Sequence, residues 1–532
     1  MLWTPPVELS EREEKICAQL TKQRRFFPFL RRIRRRLFND DFQACLAAMY
    51  SDSPRGTPPQ PPAFLAAVVL LQAYTRCSDF DAVSSATHDA RWRMVLDCMD
   101  ADDPPFGETT LVDFRARLVR TGTAALLLRR TVELAKETRG FGYKQVASLR
   151  VAIDSVPIDG AGKVEDTINL LGRALRLLLH AVAAFVALAP TEVAAQARLP
   201  VLVAPSIKAG LDLDWHAPNA TGTALALLLE HMERLTTWMQ ERAPQGVGTQ
   251  RMEAARERVE QVVTQDTEAD GAGGRRITEG VARDRMISLS DPEMRHGRKS
   301  KSQRIDGYKQ YVATDLDQGL TLAVGVLPAN APEAQGADKL AAELAAHGEV
   351  GELAIDTAFL SSELTATVRA RTGGAVVCRP LRPARRGLFT KQDFEIDLTA
   401  KSVRCPSGHL AVIQETQARF AATDCASCPL REKCQPPKAR QGRTIAVHPQ
   451  EAFFQDARAA QATPEGRARL RERTAVEHTV AHLRNREGRF ARYRGVAKND
   501  FDVQRIEAVN NLNVIALRLR RNGAEEEFEE AA

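Results

Sequence analysis

At Ser148 the chain changes period. Upstream, apolar residues recur at helical spacing. The segment SLRVAIDSVPIDGAG instead sets Leu149, Val151 and Ile153 at alternate positions before Asp154, which predicts a strand ending in a carboxylate. Further on, Tyr308, Tyr311 and Val312 lead into a second strand, residues 317–319 turn it, and 320–327 return. Residues 351–356, GELAID, form another short apolar strand ending in a carboxylate, followed by the helical TAFLSSELTATVRA, and 374–378 make one more strand. Strands in this arrangement require an α/β fold, a mixed sheet with helices on its faces.

The segments around this sheet differ in kind. Residues 1–147 read as helical. A proline-rich break at 58–62 precedes an apolar helix over 64–74, and Ser78 is placed to cap the next, which carries Ala82, Val83, Ala86 and Trp92. Thr109 or Thr110 is placed to cap LVDFRARLVR, with Leu111, Phe114 and Leu118 on one side and Arg115, Arg117 and Arg120 on the other. Such helices suit a helix-turn-helix-like DNA module and a plain bundle equally. Residues from about 165 to 285 return to helix and loop, interrupted by glycines at 271–274, and read as a helical insertion. Within them 177–190 is the most apolar stretch, expected to be a buried helix too short to span a bilayer.

A chain of 532 residues is too long for one ordinary domain, and two to four compact units are expected. The net charge is only +6, but the basic residues cluster. Arg24, Arg25, Arg31, Arg32, Arg34, Arg35 and Arg36 form one block, and nine arginines fall within 467–494. Clusters of this kind suit a polyanion such as DNA, or else a solvated helix surface. Glu8, Glu11, Glu13 and Glu14 break any amino-terminal apolar run, so no secretion signal is expected. Nine cysteines without such a signal point to a reducing, cytoplasmic location, where clustered cysteines mean metal more often than disulfide.

Residues 467–487 lack Gly and Pro and predict one helix, on which Arg473, Glu477, Val480, Ala481 and Arg484 share a face. A carboxylate flanked by arginines can take a divalent cation while its neighbours hold phosphate oxygens. Two strand-end aspartates, Asp154 and Asp356, beside the helical Glu477 can hold two Mg2+ ions, with Mn2+ as a substitute. One ion then activates a water or a 3′-hydroxyl, and the other stabilises the leaving oxygen of an in-line phosphodiester displacement. Either aspartate also fits a turn or a helix cap.

In this order the segments resemble the DDE transposases of bacterial insertion sequences. The resemblance is carried by the preamble YSDSPRGTPPQPPAFLAAVVLLQAYTRCSDFDAV, then AIDS, DPEMRHGRKSKSQRIDGYKQYVATD, AIDTAF and RTAVEHTVAHLRNREGRFARYRG. It implies an RNase-H-like mixed sheet with flanking helices and an acidic triad at Asp154, Asp356 and Glu477. Many members carry tyrosine, arginine, glutamate and lysine around the third acid. Here those positions read Leu470, Arg473, Glu477 and Arg484, so the tyrosine is missing and arginine replaces lysine. The implied organisation is a helical DNA-binding domain over 1–147, a catalytic core over 148–400 with the helical insertion, a cysteine-rich insertion over 401–440, the glutamate-bearing part of the core over 441–521, and an acidic disordered tail over 522–532. Arg298, Lys299, Lys301 and Arg304 are further candidates for phosphate contact. The implied partner is double-stranded DNA, both terminal inverted repeats and target, bound by a homodimer, with no membrane partner. A nuclease that cleaves without joining, and a catalytically inactive DNA-binding regulator, remain as alternatives.

Cys405, Cys425, Cys428 and Cys434 lie in CPSGH…CASCPLREKC. Four thiolates suit structural, tetrahedral Zn2+, with His409 as an alternative ligand and an iron–sulfur cluster as the other metal reading. His478 and His482 are i, i+4, but Glu477 precedes them, so the metalloprotease pattern fails. Asp159, Asp166, Asp291, Asp306 and Asp315 are rival acids; Asp291 before Pro292 and Asp306 before Gly307 have turn explanations.

Overall fold

The computed structural model describes residues 2–20, 25–50, 59–145, 148–242, 249–299, 302–380 and 387–522. The amino-terminal region is helical. Ser10 and Ser78 each open a helix through a reciprocal capping box, with Glu13 and Asp81 respectively. The apolar stretch forms the helix Pro62–Thr75, buried from Pro62 to Ala73, and Trp92 lies in the core. Glu108–Thr121 buries Leu111, Phe114 and Leu118, but its cap is Gly107 rather than Thr109 or Thr110. Both threonines fall inside the first turn, and Glu108 takes the lead position, where a carboxylate complements the helix dipole.

The first arginine block is not the free basic surface that its composition suggests. On Phe26–Leu37, Arg31 is 1% exposed and paired with Glu13 at 2.7 Å. Arg34, equally buried, donates to the carbonyls of Met94, Val95 and Pro6. Neighbouring segments supply carbonyl and carboxylate acceptors for these guanidinium groups, although burial still lowers the Arg34 pKa to about 10. Arg24 lies outside the described residues.

In chain order the first strands are β1 (Leu149–Asp159), the short β2 (Thr267–Ala269) and β3 (Arg275–Ile277), then β4 (Arg295–Arg298), β5 (Arg304–Asp315), β6 (Thr321–Pro328), β7 (Val350–Ile355) and β8 (Ala375–Cys378). The main sheet runs β4-β5-β1-β7-β8, with β6 also paired to β5. β1, β5 and β6 pair antiparallel, whereas β1–β7 and β7–β8 are parallel. β1 therefore does not end at Asp154. Its antiparallel pairing with β5 continues to Asp159, while its parallel pairing with β7 stops at Ala152. Asp154 sits where one side of the strand loses its partner.

β2 and β3 form a hairpin turned by the glycines at 271–274, inside the predicted insertion. The insertion's helices, from Thr167–Phe185 to Gln250–Asp266, bury their own core of Leu171, Leu175, Leu228, Trp238 and Val259 among others. Thr167–Phe185 begins well before the apolar stretch at 177. By length and composition alone it is apolar enough to cross a membrane, which corrects the expectation of too short a span; 61% of that window is buried inside the protein.

The single helix expected over 467–487 is two, Pro464–Glu472 and Thr474–Glu487, with Arg473 between them in right-handed helical geometry. Val496–Arg521 then threads between the sheet and the amino-terminal helices. Its buried Asn511 accepts from the Thr321 amide at 2.8 Å and donates to Thr131, and Glu507 accepts from the Thr321 hydroxyl at 2.6 Å. A separate five-stranded sheet of β9 (Glu395–Asp397), β10 (Ser402–Arg404), β11 (Leu410–Gln414), β12 (Gln417–Arg419) and β13 (Thr444–Ala446) is antiparallel and packs its own small core around Phe394, Val403 and Phe420. It begins before residue 401 and ends after 440. The acidic tail from 523 lies outside the described residues.

Candidate active site

Alternation along β1 puts Arg150, Ala152 and Asp154 on one face, and alternation along β7 puts Glu352, Ala354 and Asp356 on the same face of the sheet. The register pairs Arg150 with Glu352 and Ala152 with Ala354. Carried two residues further, it sets Asp154 beside Asp356. β1 thus bears one charged residue, one alanine and one aspartate, and β7 with the residue just past its end carries the same series in step.

Each level of that stripe has a use. The alanines leave room for a helix, and Val476, fully buried, packs against Ala152 and Ala354. The hydroxyl of Thr314 on β5 donates to Thr479 at 3.3 Å, so Thr474–Glu487 is docked on β1 and β5 together. At the outer level Arg150 pairs with Glu352 at 3.1 Å and also with Glu472, and Arg469 pairs with Glu352. These ion pairs clamp Pro464–Glu472 at the sheet. Arg473, which joins the two helices, is thereby delivered to the aspartates: its guanidinium lies 2.8 Å from Asp356 and 3.6 Å from Asp154.

The two carboxylates are unequal. Asp356 is 55% exposed, at the N-cap position of the short 3-10 turn Thr357–Phe359, yet its side chain makes no capping bond and accepts from Arg473 instead. The simple cap explanation therefore fails for it. Asp154 is 20% exposed. Burial raises its pKa, against the Ser155 amide, Arg473 and Lys299, while the negative charge of Asp356 adds to the rise. An acid pair held by one guanidinium is a pair of hard oxygen donors already gathered around a cation, which fits the chemistry of a divalent ion.

Glu477 lies in the first turn of Thr474–Glu487, next to Val476, and is exposed. Among the described residues, no group of three or more His, Cys, Asp or Glu side chains closes to metal-ligand geometry, so Glu477 does not complete a closed set with the aspartates. Arg484 is exposed further along the helix. Arg298, Lys299 and Arg304 are exposed about the β4–β5 turn, and Lys299 is near enough for its charge to act on Asp154. Lys301 lies outside the described residues. The rival acids have structural partners. Asp159 pairs with Arg489, Asp166 caps a helix, Asp291 accepts from Tyr308 and from the Gly495 amide, and Asp315 accepts from two turn amides. Asp306 pairs with His296 across the β4–β5 strands rather than in a turn.

Cys405, Cys425, Cys428 and Cys434 line one cavity of about 30 Å³, together with His409 and Asp424. The Cys428 thiol donates to Ser407 at 3.2 Å and Cys425 accepts from the Arg443 amide at 3.4 Å. All nine cysteines are free thiols. The four converge, but they stand outside ligand geometry in this arrangement.

The residues that deliver Arg473, namely Arg150, Glu352 and Arg469, were not singled out in the sequence. The signal was the even-numbered positions of the two strands, which matter once the sheet register is known. Two family models match the chain: one described as transposase DDE domain over residues 407–516, and one described as transposase domain (DUF772) over residues 16–117. The first spans Arg473 and Glu477 as well as Cys425, Cys428 and Cys434; Asp154 and Asp356 precede it. No curated protein and no solved structure matches.

Proposed function

We propose that this chain, a DDE transposase of an insertion sequence by its two domain matches, binds the ends of its element and carries out divalent-metal-dependent phosphodiester cleavage and strand transfer. The observation that carries this reading is the matched stripe of β1 and β7, which ends in Asp154 beside Asp356 with Arg473 over both. The sheet, an antiparallel meander of three strands followed by two parallel ones, is read as RNase-H-like.

DDE transposases generally use divalent metal ions. Asp154, Asp356 and Glu477 are the residues that would hold Mg2+ or Mn2+, and the metal would supply Lewis-acid activation of a water or 3′-hydroxyl and stabilisation of the leaving oxygen. The chain's own groups do the rest. Arg473 keeps two repelling carboxylates side by side. With Arg484 it binds phosphate oxygens and stabilises the charge that develops on them. Arg298, Lys299, Lys301 and Arg304 hold flanking DNA, and the helices of 1–147 recognise the element's ends. Two protomers are needed to bring two ends together, in the cytoplasm. The four thiols of the small sheet offer the right soft donors for a structural Zn2+, which would tie down the β9–β13 region without touching the chemistry.

A second reading, a DNA-binding regulator without cleavage, draws on Glu477 standing outside any closed group while Arg473 already neutralises the aspartates. Cleavage of a labelled duplex carrying the DNA that flanks the coding sequence separates the two. With Mg2+ or Mn2+, the parent should cut at defined ends. Asp154→Asn, Asp356→Asn and Glu477→Gln should each lose at least about a thousandfold in rate, the scale of several kcal/mol of transition-state stabilisation. Binding without cleavage, identical in parent and variants, would leave the regulator.

A further inference from the structure

Away from the acid pair, the end of Thr474–Glu487 and the start of Val496–Arg521 meet the helix Pro62–Thr75 of the amino-terminal layer. The junction encloses a cavity of about 280 Å³ lined by Arg76, Arg486, Arg492 and Arg505, with Glu487 and Asp502. Arg505 is buried and Arg486 half-buried, while Arg76 and Arg492 are exposed at the cavity's mouth, and four like charges so close repel one another.

Among the described residues, only one of the four has a carboxylate partner. Arg505 is buried and bound to Asp502 at 2.5 Å. Arg76 donates to the Asn485 carbonyl at 3.1 Å and Arg492 to the Cys77 carbonyl at 2.8 Å. Arg486 lies over the Tyr74 ring at 5.7 Å. Burial lowers the Arg486 pKa and the Arg76 charge adds to that, against Tyr74 and Glu507. The next carboxylate, Asp79, is held by Arg115 at 2.5 Å, and feels the charge of Arg492 without a direct bond to it. Glu487 does not balance the arginines either. Burial, with repulsion from Asp502 and Glu507 and against the Gln310 bond and the Arg505 charge, pushes its carboxyl up to about 8, which weakens it as a counter-charge.

Three cations without a paired counter-charge among the described residues, held by carbonyls and a ring, face one concavity at the seam between two parts of the chain. We propose that this seam is a phosphate-binding site that takes a backbone phosphate of duplex DNA. Carbonyl bonds and ring stacking fix the planar guanidinium groups in advance, which favours bidentate contact with phosphate oxygens. The amino-terminal helices and the core would then grip one duplex at a shared point. The inference rests on the DNA-binding reading above. The same chemistry would also accept free inorganic phosphate.

The test is binding of the full chain to a labelled duplex across a range of salt, by fluorescence anisotropy, with melting temperatures taken alongside. Arg486→Gln and the double variant Arg76→Gln/Arg492→Gln should bind about three- to tenfold more weakly. The slope of log K against log salt should become shallower by roughly 0.9 for each phosphate no longer neutralised. If the double variant is unstable, because its arginines also staple backbone carbonyls, Arg486→Gln, which makes no such bond, decides alone. Unchanged slopes in stable variants, with the parent binding DNA normally, overturn the site and leave the function intact; so does weaker binding at an unchanged slope. If the parent fails to bind DNA, the functional reading fails instead. Inorganic phosphate raising the melting temperature of the parent, but not of Arg486→Gln, would then assign the site to the free ion.

Discussion

The arginines of Phe26–Leu37 and those of 467–494 are alike in composition but not in use. Arg31 and Arg34 are turned inward, each with acceptors supplied by the folded chain. Arg473 is bound to two carboxylates where β1 and β7 part in the middle of the sheet, and Arg486 and Arg492, with Arg76 from outside both clusters, have no carboxylate partner among the described residues. A buried guanidinium whose acceptors come from the folded chain holds structure together. One that is preorganised but short of negative charge is available to a ligand. Counting basic residues does not separate these cases, whereas counting their acceptors does.

The largest stability effect should come from breaking the inward set. Arg31→Ala leaves Glu13 buried without its partner and should cost about 3–5 kcal/mol in urea unfolding. A Glu13→Gln/Arg31→Met double variant should be milder, because no uncompensated charge remains. If Arg31→Ala proved neutral, the contrast between the two clusters would collapse.

Acid and base should act on the two regions in opposite directions. For Glu13, burial is outweighed by the Arg31 bonds and the Ser10 amide, so its pKa is lowered. Its contribution is present above the ordinary carboxyl range and is lost as pH falls through the folded value. Under the carboxy-terminal helices, burial pushes Glu487 up to about 8 and Glu507 to about 7. Their contribution is complete below the ordinary value of 4.5 and is lost as pH rises through about 7 to 8. The melting temperature should therefore fall from about pH 4.5 to about pH 8 and level off above it, and Glu487→Gln should flatten the fall. An unchanged profile in the variant would mean that Glu487 is not the titrating group.

The smallest effect should be that of Arg473→Ala. With Asp356 more than half exposed, the loss should stay below about 1 kcal/mol. A loss as large as that at Arg31 would recast Arg473 as structural.

Five strands of the main sheet and the helical preamble were legible because period and capping are local properties, whereas the small sheet β9–β13, with strands of three to five residues, shows no such period. Ser78 and the turn at 317–319 belong to that class. Pairing decided what was not legible. β1 runs past Asp154 because β5 continues alongside it, and the helix at 467–487 divides at Arg473, where no Gly or Pro marks a break. Candidate site residues could be picked by chemistry, but whether they meet depends on register. Asp154 and Asp356 are brought together by strand pairing, whereas Glu477 is placed by helix docking and stands apart from a closed group.

The placement of β1 at the centre of the sheet has a consequence in time. A ribosome releases β1 early, but its antiparallel partner β5 follows only after the whole helical insertion, β7 later still, and Arg473 near the end. At about 5–20 residues per second, the strand bearing Asp154 waits roughly 10 to 40 s for Asp356. An interrupted translation product that stops before β7 carries one aspartate and no partner. The acid pair therefore assembles only after the chain has been made past Asp356, and its arginine joins it later still.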